Sequence, residues 1–441
     1  MHLLYSSLLL LALTVGLPFW LLQMARSGKY RAGLSERLGR VPARLRATGE
    51  PPHENENCIW VHAVSVGEVL AVTRLIAELK KKFPEWRIVV STTTKTGQAL
   101  AQARFGATDV FYLPLDLKMF LRPFFRHLRP RLLVLAESEF WMNLLAVAKE
   151  NNCRVAVVNT RVSDRSLPRY LKVRGLLEQH IFSRMDLVLA QSDQDAERVR
   201  QIGASPARVQ VSGNLKFDLS PPAESEIVRR LREAMQDNTV LVCGSTVEGE
   251  EDMLARELRR TNMSDLVMIL APRHPERFNA VADLLTNAGV KVVRRTTWTG
   301  EPIESGTVFL LDSIGELAAI YALADVAFVG GSLVPRGGHN VLEPAYFGKP
   351  ILVGPHTENF RDIMRRFEQA NAIARTEPGD VLVGAFLLLT QPALAGMGAR
   401  AKRVMDENAG ATERTVSALE VLLWMPSTLR AQMADSVGSK Q

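Results

Sequence analysis

The run Gly330-Gly-Ser-Leu-Val-Pro-Arg-Gly-Gly-His-Asn-Val-Leu-Glu343 is the densest group of chemically capable residues in the chain. It follows an apolar strand pattern that begins at Ala327 and enters a helical pattern ending near Gly348. Glycines let backbone N–H groups close on an anion, and a helix start adds about half a positive charge. Glu343, inside that helix, offers a carboxylate suited to a ribose diol. Phosphate at Gly337 and Gly338 with sugar hydroxyls at Glu343 describes a nucleotide. The spacing fits neither the dinucleotide fingerprint nor the P-loop, which speaks against hydride transfer and ATP hydrolysis.

Two further stretches supply carboxylates. His62-Ala-Val-Ser-Val-Gly-Glu68 reads as a strand, a glycine-containing turn and a helix start. Glu68 is then either a general base at a strand carboxyl end or a helix N-terminal carboxylate that offsets the macrodipole. Glu137-Ser-Glu139 follows a fully apolar strand. Carboxylates at i and i+2 on a turn point apart, so one is expected to face a ligand, and Glu137 is the nearer to the strand. With Glu68 it would form a carboxylate pair with divided roles; the alternative is a helix cap.

Ala271-Pro-Arg-His-Pro-Glu276 ends a strand, where Arg273 meets phosphate and His274 stacks or donates, or where the run is only a turn. Gly315-Glu316, after Asp312-Ser, either presents amides to a base edge or caps a helix. Gly244-Ser-Thr-Val-Glu-Gly-Glu-Glu251 either holds an anion on its amides or uses its acids to stabilise the following helix. Lys216 pairs either with an anionic substrate or with neighbouring acids. No HExxH or clustered His/Cys pattern suggests a catalytic metal, so neither metal nor cofactor is expected. A diphosphate leaving group commonly wants a cation or several positive side chains, whereas a monophosphate can depart against amides and Arg273. This points toward a CMP-sugar.

The elements that position these residues alternate between apolar strand runs and amphipathic helical patterns. Strand patterns start at Cys58, Ile88, Leu132, Val155 and Leu187. After a Gly- and Pro-containing linker from Val209 to Pro222 they restart at Val240, Val267, Val290, Val308, Val326 and Ile351. Such alternation gives parallel sheets with helices on both faces, an α/β class. The expected layout is a membrane anchor over 1–24, one Rossmann-like domain over 25–215, a second over 216–425, and a polar tail over 426–441. Two such domains in tandem are expected to face each other across a cleft, with ligands beyond the strand carboxyl ends.

Composition agrees with this size and class: 441 residues favour two domains of ~200 residues each, and 47% hydrophobic with 23% charged is ordinary for a globular enzyme. From Leu3 to Met24 no side chain is charged, about enough apolar chain to cross a bilayer as a helix, kinked or shallowly inserted at Pro18; the alternative is a buried or monotopic helix. Arg26, Lys29, Arg31, Arg37, Arg40, Arg44 and Arg46 follow with only Glu36 against them, a basic collar suited to anionic headgroups and a cytoplasmic orientation. No aromatic-basic interleaving supports a nucleic-acid partner. Cys58, Cys153 and Cys243 sit in or beside apolar runs without CxxC spacing, as buried reduced thiols do.

Taken together, HAVSVGE (62–68), ESEFW (137–141), GNLKFD (213–218), GSTVEGEE (244–251), APRHPERF (271–278) and GGSLVPRGGHNVLEP (330–344) resemble the Kdo transferases of lipopolysaccharide synthesis. The resemblance runs from the anchor to about residue 420. It implies a GT-B fold, a single inner-membrane anchor with catalysis on the cytoplasmic side, and inverting transfer of 3-deoxy-D-manno-octulosonic acid (Kdo) from CMP-Kdo to the lipid A precursor, lipid IVA. It further implies Glu68 as base, Glu137 as a second essential acid, and CMP contacts from Pro272, Arg273, Ile314, Gly315, Glu316, Asn340, Val341, Leu342 and Glu343. His274, Gly337 and Gly338 join the donor site, with Ser65, Lys216, Ser245 and Thr246 as candidate substrate contacts. Val341 and Phe140 stand where the family often has proline and leucine, both apolar exchanges. The alternatives are a GT-B transferase using a UDP-sugar on another lipid, a GT-B-type epimerase, and a silent nucleotide-binding membrane scaffold.

Overall fold

Each strand of the first unit is a nearly continuous apolar run, as expected for parallel strands covered on both faces. In chain order these are β1 (Cys58–His62), β2 (Arg87–Thr92), β3 (Val110–Tyr112), β4 (Pro130–Ala136), β5 (Arg154–Thr160), β6 (Leu187–Ala190) and β7 (Val209–Val211). They form one parallel sheet in the order β3-β2-β1-β4-β5-β6-β7. Period-two alternation divides β1 between two cores. Cys58 and Trp60 pack with Phe111, Phe124 and Phe125, while Ile59 and Val61 pack with Leu75, Ile76 and Leu79. The computed structural model describes residues 7, 14–16, 32–46, 57–219, 225–260 and 265–425.

The second unit repeats the plan with β8 (Thr239–Thr246), β9 (Leu266–Pro272), β10 (Lys291–Arg294), β11 (Thr307–Leu310), β12 (Val326–Val329), β13 (Ile351–Val353) and β14 (Ala374–Arg375). Its parallel sheet runs β10-β11-β9-β8-β12-β13-β14. The first sheet reverses its strand order between β1 and β4; in the second, the connections leave β8 and β12 in opposite directions, with β11 inserted between β9 and β10. Ligands of open parallel sheets bind beyond the strand carboxyl ends at such switch points. Glu68 and Glu137 follow the first pair of strands; Ser245 and Thr246 end β8, and the 330–343 run follows β12.

The units are not divided where the sequence suggests. The first comprises 1–218 with 409–441, and the second 219–408. The Ala411–Trp424 helix, assigned from sequence to the second domain, packs on the first sheet, placing Ala411, Leu419, Leu422 and Leu423 in its core. Asp218 fixes that return by accepting from the amides of Gly410 (2.7 Å) and Thr412, and Arg414 Nε donates to Ser212 O at 2.8 Å. Val209–Val211, read as linker, is instead the edge strand beside β6.

The expected anchor, the Ser220-Pro-Pro end of the linker and the polar tail lie outside the described residues. Among the described residues, no helix is long and apolar enough to cross a membrane. Part of the basic collar turns inward: Arg44 pairs with Glu36 at 2.6 Å, and Arg37 covers the Tyr112 ring at 4.5 Å while donating to Thr93 O. Arg40 and Arg46 remain exposed. Leu419 is fully buried, so Leu419→Ala should destabilise the first unit by ~2–4 kcal/mol in chemical denaturation; a loss under about 0.5 kcal/mol would show that the helix is not part of this core.

Candidate active site

In the first unit the site is built at the carboxyl ends of β1 and β4. Glu68 lies in the first turn of the Val66–Lys82 helix, whose N-cap Ser65 does not cap with its side chain. Instead the Ser65 hydroxyl donates to Glu68 Oε1 at 3.0 Å, and the Val64 amide donates to Oε2 at 2.8 Å. The side chain is thus fixed at the helix start, as one of the two sequence readings requires, yet it is also buried, with the residue 8% exposed. Loss of hydration raises its pKa from the ordinary 4.5 to about 7, opposed by the Val64 amide and assisted by the negative charges of Glu137 and Glu139. That value suits a base working near neutral pH.

Glu137 does not act as a helix cap. The following helix, Met142–Glu150, starts from Trp141 with no side-chain cap, and Glu137 Oε1 accepts from Lys216 Nζ at 2.9 Å. Its backbone has φ 58°, and its N–H donates a hydrogen bond to Val158 O at 2.8 Å. Lys216 thus pairs with a neighbouring acid, one of its two sequence readings. Asn159, also left-handed at φ 57° and buried, receives the Leu215 amide on Oδ1 at 3.0 Å and so positions the Leu215–Phe217 turn that carries Lys216. Left-handed backbone at non-glycine residues costs of order 1–3 kcal/mol and clusters where function requires it.

Three participants escaped sequence reading. Glu139, passed over in favour of Glu137, has its own pKa raised by burial, against the Trp141 hydrogen bond, and adds to the field on Glu68. His62 is fully buried with Nδ1 against Ser91 O (3.1 Å) and Oγ (2.9 Å); burial lowers its pKa to about 4, so it is neutral. Asn159 left no signal in the sequence beyond ending an apolar strand. The Asp193-x-Asp195 triplet could suggest a metal, but Asp195 accepts from Ser192 Oγ at 2.6 Å and the Val162 amide at 3.2 Å. No metal-ligating cluster occurs among the described residues.

In the second unit, the 330–343 run is organised by a carboxylate of its own. Glu250, wholly buried, accepts four amides: Val247 (3.0 Å), Gly331 (2.8 Å), Ser332 (2.9 Å) and Leu333 (2.9 Å). A side chain on Gly330 would bring a Cβ within 2.8 Å of that carboxylate. The Gly338 amide is also engaged, donating to Gly331 O at 2.7 Å, and a Cβ on Gly337 would lie 2.5 Å from Asn359 Nδ2. Gly337 and Gly338, with φ 85° and 76°, therefore close the loop on itself. The phosphate seat expected there loses the Gly338 amide to this closure.

The strand ends beside this loop carry further polar groups. Thr246 Oγ1 is buried without a partner, Ser245 is left-handed at φ 57°, and Thr246 O receives the Arg273 amide at 2.8 Å. Arg273 and His274 are exposed, and the Arg273 guanidinium makes no ion pair among the described residues. Its charge reaches both His339 and Glu343. Glu343 is pushed above the usual carboxylate range by burial, against the Asn340 hydrogen bond (3.3 Å) and Arg273. Asn340 Oδ1 accepts the Leu342 amide at 3.2 Å, while Val341 and Leu342 are core residues and Pro272 ends β9. Ile314 is 78% exposed beside Gly315 (φ 91°). The Glu316 carboxylate is taken by Arg295 at 2.9 Å, and its carbonyl caps the Leu317–Ile320 turn, leaving only backbone at this point for a ligand.

Two parallel units of this kind define a GT-B glycosyltransferase-type fold. The UDP-N-acetylglucosamine 2-epimerase of Neisseria meningitidis bound to UDP-GlcNAc shares it, with TM-score 0.54 and 13% identity over 82% of this chain and 99% of that one. S. aureus MnaA, solved with UDP, gives 0.52 and 15% over 84% and 98%. The profile of the 3-deoxy-D-manno-octulosonic-acid transferase (kdotransferase) family matches residues 32–219. The 3-deoxy-D-manno-octulosonic acid transferase of Haemophilus influenzae is 35% identical over 429 residues, 95% of this chain and 98% of its own. That of Bordetella pertussis is 36% identical over 417 residues, 91% and 95%. The chain belongs to the 3-deoxy-D-manno-octulosonic acid transferase family, glycosyltransferases of lipopolysaccharide biosynthesis.

Because the folded chain holds the Glu68 proton more tightly than the unfolded chain does, the stability contributed at this position falls as pH rises from about 4.5 to about 7. Glu68→Gln should therefore raise the denaturation midpoint at pH 8 and change it little at pH 4.5. A gain of equal size at both values would show that Glu68 titrates normally.

Proposed function

We propose that the chain transfers Kdo from CMP-Kdo to a primary hydroxyl of lipid IVA with inversion at the anomeric carbon, releasing CMP, with Glu68 as general base. The observation that carries this reading is the buried Glu68 carboxylate, whose proton affinity is set near neutrality by burial and by Glu137 and Glu139. The acceptor oxygen bonds to the anomeric carbon as its proton passes to Glu68. The bond from that carbon to the phosphate oxygen breaks, and its electron pair leaves with CMP. Glu137, tied to Lys216, keeps a fixed negative field beside the base.

The second unit receives the donor. Arg273, with no carboxylate paired to it, opposes the charge that develops on the departing phosphate. Asn340 and Glu343 take the ribose, and the exposed backbone at Ile314 and Gly315 takes the base. A CMP leaving group carries less charge than a nucleoside diphosphate, so Arg273 and backbone amides can meet it without a metal clamp. The apolar run from Leu3 to Met24 and the positive residues that follow support attachment to the inner membrane with both units on the cytoplasmic side. Arg40 and Arg46 are the collar residues left to meet acceptor or lipid phosphates.

Glu68→Ala should lower transfer by at least ~10²–10⁴-fold while CMP-Kdo still binds; turnover near wild type would remove Glu68 from the role. In the unaltered enzyme the rate should climb with pH through about 7, as the base ionises. Arg273→Ala should raise the donor KM by roughly 10-fold or more, the usual weight of a hydrogen bond to a charged group. Donor assays with UDP-sugars beside CMP-Kdo, products resolved by mass, test the UDP-sugar alternative; transfer from a UDP-sugar alone would overturn the donor assignment.

A further inference from the structure

An unassigned concavity of the first unit lies at the opposite end of the sheet from Glu68 and Glu137. It is a groove of about 930 Å³ at the amino ends of β4 and β5, lined by Arg126, Arg129, Arg131 and Arg154, with Asn151, Asn152 and the end of the Ala411–Trp424 helix beside them. β4 is seven residues long, so at ~3.3 Å per residue the groove lies on the order of 20 Å from the catalytic end.

Its composition is one-sided. Among the described residues no Asp or Glu lines it, and Arg126, Arg129 and Arg131 are exposed and make no ion pair. Described acids elsewhere in the unit carry cations of their own: Glu150 holds Lys118 and Arg122, Asp186 holds Lys149, Asp109 holds Arg87 and Glu420 holds Lys82. The groove is also built rather than incidental. Arg154 spans from β5 to the carbonyls of Leu423 and Met425 (3.0 Å to Met425), joining the C-terminal helix to the sheet and setting the wall. On that wall Trp424 is 60% exposed, an aromatic surface beside three unneutralised guanidiniums.

Like charges held close together repel one another, and guanidinium forks match phosphate oxygens in pairs. An anion here would relieve that repulsion and satisfy several donors at once. We propose that this groove is a second anion site of the protein, specific for phosphate groups and separate from donor binding, with Arg126, Arg129 and Arg131 as its ligands and Trp424 covering whatever the phosphate is attached to. The phosphate is carried either by a soluble polyanion or by an anionic lipid headgroup.

Trp424 is the reporter. Tryptophan emission of the full chain is followed during titration with inorganic pyrophosphate, and separately with phosphatidylglycerol vesicles against phosphatidylcholine vesicles. The same titrations are run on Arg129→Ala/Arg131→Ala and on Trp424→Phe. Saturable pyrophosphate binding that weakens at least 10-fold in the double arginine variant, with the emission change lost in Trp424→Phe, establishes the site for soluble phosphate. The same dependence seen only with phosphatidylglycerol assigns it to lipid headgroups. Both arginines are exposed and remote from Glu68, so transferase activity in the double variant should stay within twofold of wild type. If neither pyrophosphate nor anionic vesicles bind in a way that depends on Arg129 and Arg131, the proposal fails.

Discussion

A carboxylate that is nearly dry, yet still hydrogen-bonded, governs the first unit. Glu68 loses most of its water at the end of β1, which favours its protonated form. Without the Val64 amide and the Ser65 hydroxyl it would be pushed further and would hardly ionise at neutral pH. Glu137 and Glu139 add smaller contributions in the same direction as burial. Burial, two donors and two like charges together set a proton affinity that neither hydration nor burial alone would give. The strained backbones of Glu137 and Asn159 belong to the same arrangement, since the first aims a carboxylate and the second seats the turn bearing its lysine.

The second unit solves a different problem with the same ingredient. Loops that hold phosphate usually leave their amides open, but here Glu250 fills the nest formed by Val247, Gly331, Ser332 and Leu333. The loop is thus folded around an anion of its own before any ligand arrives. On the donor reading, a phosphate would be met by groups outside that nest, and the exposed Arg273, unpaired among the described residues, is the cation beside it. Preorganisation of this kind lowers the ordering cost of binding.

Much of this was readable from residue order. The strand starts at Cys58, Leu132, Val240 and Val326 were evident because parallel strands covered on both faces are uninterrupted apolar runs. Short strands such as Val110–Tyr112 and Val209–Val211 carry too few residues to show a period, so one was missed and the other read as linker. The crossing back at Asn408 was invisible, because an amphipathic helix shows that it packs but not on which sheet. Glu68 and Glu137 could be picked out from their positions after strands. Glu139 could not, since the expectation that alternate residues point apart does not hold on a turn whose first residue is left-handed. The role of Glu250 was concealed for a similar reason: an acid near a helix start looks the same whether it faces water or four amides.

The central claim is that Glu68 holds its proton to near neutrality in the resting protein. The most direct measurement is a ¹³C NMR titration of the glutamate side-chain carboxyls, with the Glu68 signal assigned by its loss in Glu68→Gln. A midpoint near pH 7 is the expected result. A midpoint near 4.5, the value of a freely solvated glutamate, would contradict it.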